Sequence, residues 1–259
     1  IIVKKRWHGY KPHLIIVTEL ARLFSTQLEL SDLDYQRRLR KRAELRALQN
    51  QVNPHFLYNI LNTISSVCRE NPDRARELLL TLSLYYRQTL ENEQYMIRLS
   101  TELYQVMNYL KLEQARFEEK LAVEFDIEEE LDCVLPSFIL QPLVENALYH
   151  GIKNKRGKGK ITVRGYREGS FFILEVHDNG IGMQPERLEQ VRNALVHKQF
   201  VESKVYGLYN VNERIRLNCG EEYGLRISST YQEGTTVKIF LPDADSGLTS
   251  PEEEIQPDS

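Results

Sequence analysis

The sequence predicts a multidomain chain, all-α over its first 119 residues and α+β from there to Pro242. Three observations carry that expectation. Apolar residues recur at spacings of three and four as far as "TELYQVMNYLKLEQARFEE", the signature of one-sided helices. The period then changes to two at "LAVEFDI" and returns in "KITVRGYREGSFFILEVHD" and "GLRISSTYQEGTTVKIFLP". Each of those longer stretches is divided by a glycine-bearing turn, Glu168-Gly169 and Glu233-Gly234, so each reads as two strands. The expected organisation is a helical linker over 1–44, a helical bundle over 45–119, an α+β domain over 120–242 and an acidic tail over 243–259.

In order along the chain, Leu14, Val17, Leu20, Ala21, Phe24 and Leu28 begin an imperfect coiled coil over 14–52, with a break in phase around Ser31–Tyr35. A second helix runs from about Leu45 to Arg69. At "NPD" Asn71 can cap, and Pro72 suits the first position of a third helix reaching about Glu93. Ser100 is the expected cap of the next helix. In the second half, helical segments at about 139–151, 185–197 and 208–218 separate strands of a mixed sheet of about five. The tail after Pro242, rich in Pro, Ser, Asp and Glu, is expected to be disordered.

Composition narrows the function. Of 259 residues, 41% are hydrophobic and 27% charged, as in ordinary globular domains, and the net charge of −3 implies no general attraction to nucleic acid or anionic lipid. Six bases between Arg37 and Arg46 read as a solvated helix face. Cys68, Cys133 and Cys219 are scattered and odd in number, which fits neither a zinc site nor a disulfide framework and suggests a reducing compartment. No apolar run is long enough to span a bilayer. The opening "IIVKKR" suits the cytoplasmic end of a membrane helix in a region before residue 1, and equally an ordinary helix start or a tag remnant.

The stretch "QVNPHFLYNILNTI" raises the chemical question. Pro54 appears inside a helical pattern, where it removes a backbone hydrogen bond and bends the helix. With Phe56 at 0° and about 100° per residue, Leu57, Ile60, Leu61, Ile64 and Val67 fill one face. His55, Asn59, Asn62 and Ser66 fill the opposite stripe. His55 is therefore directed away from the core. A neutral imidazole is nucleophilic when one ring nitrogen is held and the other left open, and Asn59, one turn on, can hold it.

"LQNQVNPHFLYNILNTI" closely resembles the phosphoacceptor box of LytS/YesM-type sensor histidine kinases, in which the histidine matching His55 takes the γ-phosphoryl group of ATP. The resemblance implies a nucleotide site with Mg²⁺ in the second half. "LQPLVENALYHGI" would supply Asn146 as the metal ligand and His150 toward a phosphate. "HDNGIGM" would supply Asp178 for the adenine amino group, with Gly180 and Gly182 permitting tight turns. "YGLYNVNERI" would bring Gly207, just before a helix, and Leu208 to the phosphates. "EGTTVKIFLP" would set Thr235 beneath Asp178. In this order these motifs resemble the GHKL (Bergerat) ATP-binding sandwich of histidine kinases, gyrase, Hsp90 and MutL.

The resemblance covers about residues 45–242. It implies a homodimer built through a coiled coil and a four-helix bundle, and a response-regulator partner with LytTR- or AraC-type DNA-binding output. It implies no direct contact with nucleic acid and membrane attachment only through a region before residue 1. The chain departs from other histidine kinases in two places. Phe56 stands where many carry an acidic base, which leaves Glu145 as the candidate base. A single glycine in "KVYGLYN" suggests a looser phosphate loop, with a lid within 184–206. An anti-sigma-type serine/threonine kinase and a non-catalytic ATP-binding scaffold are the alternatives; such serine/threonine kinases lack a phosphoacceptor helix.

Overall fold

The computed structural model describes residues 54–91, 94–129, 131, 133–196 and 206–243. The expected coiled coil, the linker 1–44, residues 45–53 with any bend ahead of His55, and the tail beyond Asp243 lie outside the described residues. The described residues from His55 onward belong to one unit.

Three helices come first. α1 runs Pro54–Glu70, α2 Pro72–Glu91 and α3 Leu99–Phe117. As far as α1 is described, Pro54 is its first residue, a position where the missing N–H has no partner to lose. Between α1 and α2 the "NPD" signal operates as read: Asn71 Oδ1 accepts the Arg74 N–H at 3.0 Å. The apolar stripes of the helices meet at Phe56, Tyr85 and Tyr109. Ring centroids lie 5.4 Å apart for Phe56–Tyr85 and 5.2 Å for Phe56–Tyr109, tilted or edge-on as aromatic quadrupoles prefer. Phe56, Ile60 and Ile64 are buried and His55 is exposed, as the helical wheel requires. Leu61, at the edge of that wheel's apolar arc, is 42% exposed.

The first half is not wholly helical. A short strand β1, Met96–Arg98, pairs antiparallel with β3, Val134–Pro136. This pairing also corrects the expected cap at Ser100. α3 starts at Leu99 with Arg98 before it and no side-chain cap, because the Leu99 N–H is taken by the Cys133 carbonyl at 2.8 Å.

The second half is a five-stranded mixed sheet. Its strands are β2 (Leu121–Ile127), β4 (Gly159–Glu168), β5 (Phe171–Asp178), β6 (Gly224–Thr230) and β7 (Gly234–Pro242), in the order β2-β4-β5-β7-β6. Only β2–β4 is parallel. Three helical elements pack on one face: α4 (Gln141–Asn146) with its π-helical continuation Ala147–Ile152, α5 (Pro185–Val196) and α6 (Tyr206–Cys219). The period of two assigns Val163, Leu174, Val176, Val237 and Ile239 to that face, all buried. The opposite face carries a polar lattice in which Glu175 faces Lys238 at 3.3 Å and Arg164 at 3.6 Å. This is the layered helical-plus-sheet architecture that the sequence predicts.

Candidate functional site

The alternation that makes β5 amphipathic also creates its chemistry. Asp178 falls in phase with Leu174 and Val176, so a carboxylate ends an apolar stripe and is only 4% exposed. Burial pushes its pKa up to about 6, against the opposing pull of the Gly180 and Thr235 N–H groups and the Lys155 charge. The Gly180 N–H donates to Asp178 Oδ1 at 2.8 Å. One carboxylate oxygen is thus committed to the backbone. Such a group, in a cavity wall, is ready to accept from an amino donor.

Close backbone approach surrounds Asp178. A Cβ on Gly151 would lie 2.3 Å from Asp178 Oδ1, and one on Gly180 would lie 2.3 Å from the Gly151 carbonyl carbon. Any side chain at either position would displace the carboxylate or the chain behind it. Gly182 adopts φ of 60°, a conformation favouring glycine, and a Cβ there would run into the Thr230 carbonyl. The expected tight turns are therefore present.

Above Asp178 lies a cavity of about 200 Å³. Its lining includes Asn146, His150, Asp178, Gly182, Leu208 and Thr235, which the sequence singled out, together with Leu143, Gly151, Met183, Arg187, Val191 and Val237. Asn146 ends α4 and His150 lies on the π-helical turn, a feature frequent at functional sites. Thr235 is the β7 residue opposite Asp178, and its hydroxyl is 3.0 Å from Ser229 Oγ. Gly207 lies inside the first turn of α6 rather than before it, and a Cβ there would approach the Asn146 amide nitrogen at 4.0 Å. Part of the expected lid, 185–196, is helix α5, whose Arg187 and Val191 form cavity wall. Residues 197–205 lie outside the described residues.

His55 occupies the exposed stripe of α1, and the Asn59 amide nitrogen is 3.1 Å from its Nδ1 and 3.4 Å from its Nε2. The O and N of an amide are assigned by their surroundings. The Asn59 amide N–H faces both ring nitrogens, closer to Nδ1, and can donate to whichever carries no proton.

Glu145 is placed differently from Asn146. It is absent from the cavity lining, and its Oε1 accepts from Gln141 Nε2 at 2.9 Å. Gln141 in turn donates to the Tyr85 hydroxyl, so this face of α4 looks toward the helices. Burial raises the Glu145 pKa. No hydrogen bond among the described residues joins it to His55, so the geometry gives no support to Glu145 as base.

Sequence reasoning missed Gly151 and Ser229. Gly151 had a visible signal, a glycine within a helical run directly after His150. Ser229 had none. Its hydroxyl accepts the Met183 N–H at 2.9 Å and donates to the Gly234 carbonyl at 2.8 Å, which only the β6–β7 pairing brings within reach.

Comparison with known proteins agrees with this geometry. Residues 43–121 match the family model described as histidine kinase. Residues 135–245 match that of the histidine kinase-, DNA gyrase B- and HSP90-like ATPases. The chain is 42% identical over 232 residues to the sensor histidine kinase YpdA of Escherichia coli, covering 89% of this chain and 40% of that protein. It is 44% identical over 225 residues to the sensor protein LytS of Bacillus cereus, covering 86% and 38%. With LytS of Bacillus subtilis the identity is 44% over 227 residues, covering 86% and 38%. The chain thus spans about two fifths of the length of these relatives.

Proposed function

Because the chain belongs to the LytS-type sensor histidine kinases, we propose that it phosphorylates its own His55 from ATP and passes the phosphoryl group to an aspartate of a response regulator. The observation that carries this reading is an exposed imidazole held by an amide one turn away, in the same unit as a cavity that ends in a buried carboxylate.

In this reading Asp178 accepts the adenine amino group, with Thr235 beside it. The phosphates extend toward Asn146, His150 and the start of α6, where Gly207, Leu208 and the backbone amides of the first turn suit anionic oxygens. Asn146 offers one amide oxygen, which suits Mg²⁺ that keeps phosphate and water as its other ligands and neutralises the transferring charge. The unprotonated ring nitrogen of His55 attacks the γ-phosphorus. The N–P bond forms as the P–O bond to ADP breaks, and the proton on the other ring nitrogen is then released to water. A neutral imidazole needs no prior deprotonation, so an acid in place of Phe56 is dispensable for the attack.

Asn146→Ala is expected to weaken Mg²⁺-dependent ATP binding roughly tenfold through loss of one polar ligand. A titration showing the same affinity with and without the amide would remove Asn146 from the metal's shell.

Leu79, Leu80 and Leu84 on α2 are 47%, 59% and 39% exposed, and Tyr58 on α1 is 71% exposed. Apolar rows of this kind on paired helices suit a second copy completing a four-helix bundle. Sedimentation should therefore report a dimer at micromolar concentration; a monomer would contradict this. The regulator would be a DNA-binding protein of LytTR or AraC type, so the kinase itself need not touch nucleic acid. No helix among the described residues is long and apolar enough to cross a membrane. The chain would be the cytoplasmic portion of a bacterial membrane sensor.

Asn59 would also stand beside the phosphoryl group when the regulator docks, where it can orient a water for in-line attack on the phosphoaspartate. Asn59→Ala is then expected to slow regulator dephosphorylation while autophosphorylation persists, since the exposed imidazole keeps its nucleophilic nitrogen. Lost autophosphorylation with unchanged dephosphorylation would leave Asn59 only its hold on the ring.

A further inference from the structure

One tightly constrained turn among the described residues lies outside both the cavity and α1. It is the segment 137–140 that leads into α4. Glu102 on α3, fully buried, reaches across to it. Its Oε2 accepts the Phe138 N–H at 3.0 Å and its Oε1 accepts the Leu140 N–H at 2.9 Å. Burial raises the Glu102 pKa, against the pull of these two amides and those of Ile139 and Gln141. From the other side, Arg214 on α6 donates one guanidinium nitrogen to the Ser137 and Phe138 carbonyls, at 2.6 and 3.1 Å. The Arg214 charge also acts on Glu102.

Phe138, between these two grips, has φ of 58°. A bulky side chain in the left-handed region is strained, and such residues persist where the surroundings over-determine them. The segment just before the turn is tied to the start of α3 as well. β1 pairs with β3, the Leu99 N–H bonds the Cys133 carbonyl, and the Ser137 N–H bonds the Tyr95 carbonyl at 3.0 Å.

Three helices therefore converge on four residues, and two of them form cavity wall. α4 and its π turn carry Leu143, Asn146 and His150, while α6 carries Leu208. α3 reaches no part of that wall but packs against α2 in the helical bundle. Displacing α3 would break the Glu102 bonds and let Phe138 relax to negative φ, a second discrete arrangement of the turn.

We propose that the 137–140 turn couples the helical bundle to the nucleotide cavity, with Glu102 and Arg214 as positioning residues that set the relation of α4 to α6. This rests on the reading of the cavity as the nucleotide site. Because coupling is reciprocal, a nucleotide bound between α4 and α6 must in turn tighten the turn around Glu102.

The test uses the whole chain, titrated with Mg·ATP, as wild type, Glu102→Gln, Arg214→Gln and the double variant. Gln keeps the volume of Glu102 but only one oxygen acceptor. Glu102→Gln is expected to weaken affinity about tenfold, within the roughly 5–150-fold range of ordinary coupling. The double variant should be little worse than Glu102→Gln alone, since both changes release one turn. Amide exchange at Phe138 and Leu140 should slow on adding nucleotide in the wild type and not in Arg214→Gln, a response that a merely structural contact would not give. If Glu102→Gln fails to fold, Arg214→Gln, changed at the surface, decides by the same two readouts. Affinities within twofold of wild type, with exchange still slowed by nucleotide, would overturn the proposal. Asp178→Asn in the same titration separates the two failures. If it binds as wild type does, the cavity is misread; if it alone loses binding, the cavity stands and the coupling falls.

Discussion

In the His55→Ala variant, transfer of labelled phosphate from ATP to the protein is expected to fall to background while Mg·ATP binding stays unchanged. The two effects separate because His55 is exposed on α1 and absent from the cavity lining. The substitution removes the nucleophile outright, and no partial activity should survive. Its cost to stability should be within about 0.5 kcal/mol, as for an ordinary surface change. The helix packs through Phe56, Ile60 and Ile64, which the variant leaves untouched. Persistent labelling of the alanine variant would mean that another residue is the acceptor.

The second large effect is expected at Asp178→Asn. In the proposed nucleotide site Asp178 must accept from the Gly180 N–H, held at 2.8 Å, from the Thr235 N–H and from the adenine amino group. An asparagine has a single acceptor oxygen and presents donors in place of the other. Either the turn or the ligand loses its bond, and affinity should fall about 100-fold, the upper range for a hydrogen bond to a charged group. Stability should move the other way. The Asp178 pKa is raised by burial from 3.8 to about 6, so the ionised form is disfavoured by folding. A raised acid stabilises the folded state most at low pH, and that contribution is lost as pH rises from about 4 through about 6. At pH 7 the free chain therefore carries a cost of up to about 3 kcal/mol from two pKa units, and less once solvent at the cavity mouth is counted. Asp178→Asn removes it and should raise Tm by a few degrees, roughly 2–4 °C per kcal/mol. Nucleotide affinity should also fall more steeply in the wild type than in the variant as pH drops below about 6, because only the wild type loses the Asp178 charge. A lower Tm in the variant, or a flat wild-type profile, would refute the account of this carboxylate.

The elements that sequence reading located are those whose signals are local. Asn71 caps because its side chain reaches an amide three residues on, and the two strand pairs follow from period two about Gly169 and Gly234. The motif residues Asn146, His150, Asp178, Leu208 and Thr235 meet at one cavity because each belongs to a helix or strand readable from local periodicity. What was missed is non-local. β1 and β3 are three residues each and have no pattern apart from one another. The direction of Glu145 is set by Gln141 and Tyr85 rather than by its neighbourhood in the motif. Glu102 reads as one acid among many on an amphipathic helix, and its partners lie 36 and 38 residues away. Local chemistry thus revealed cavity-lining groups, whereas the groups that hold the cavity walls in place were hidden until the chain was folded.

The central claim is that the chain carries a phosphoryl group on a nitrogen of His55. The most direct test is to incubate the purified protein with labelled ATP and Mg²⁺, expose the product to acid and to alkali, and map the surviving label by fragmentation. A phosphoramidate is hydrolysed in acid and withstands alkali, so the account predicts label that is lost in acid, kept in alkali and located at His55. Acid-stable label on a serine or threonine, or no label under conditions in which ATP binds, would contradict it.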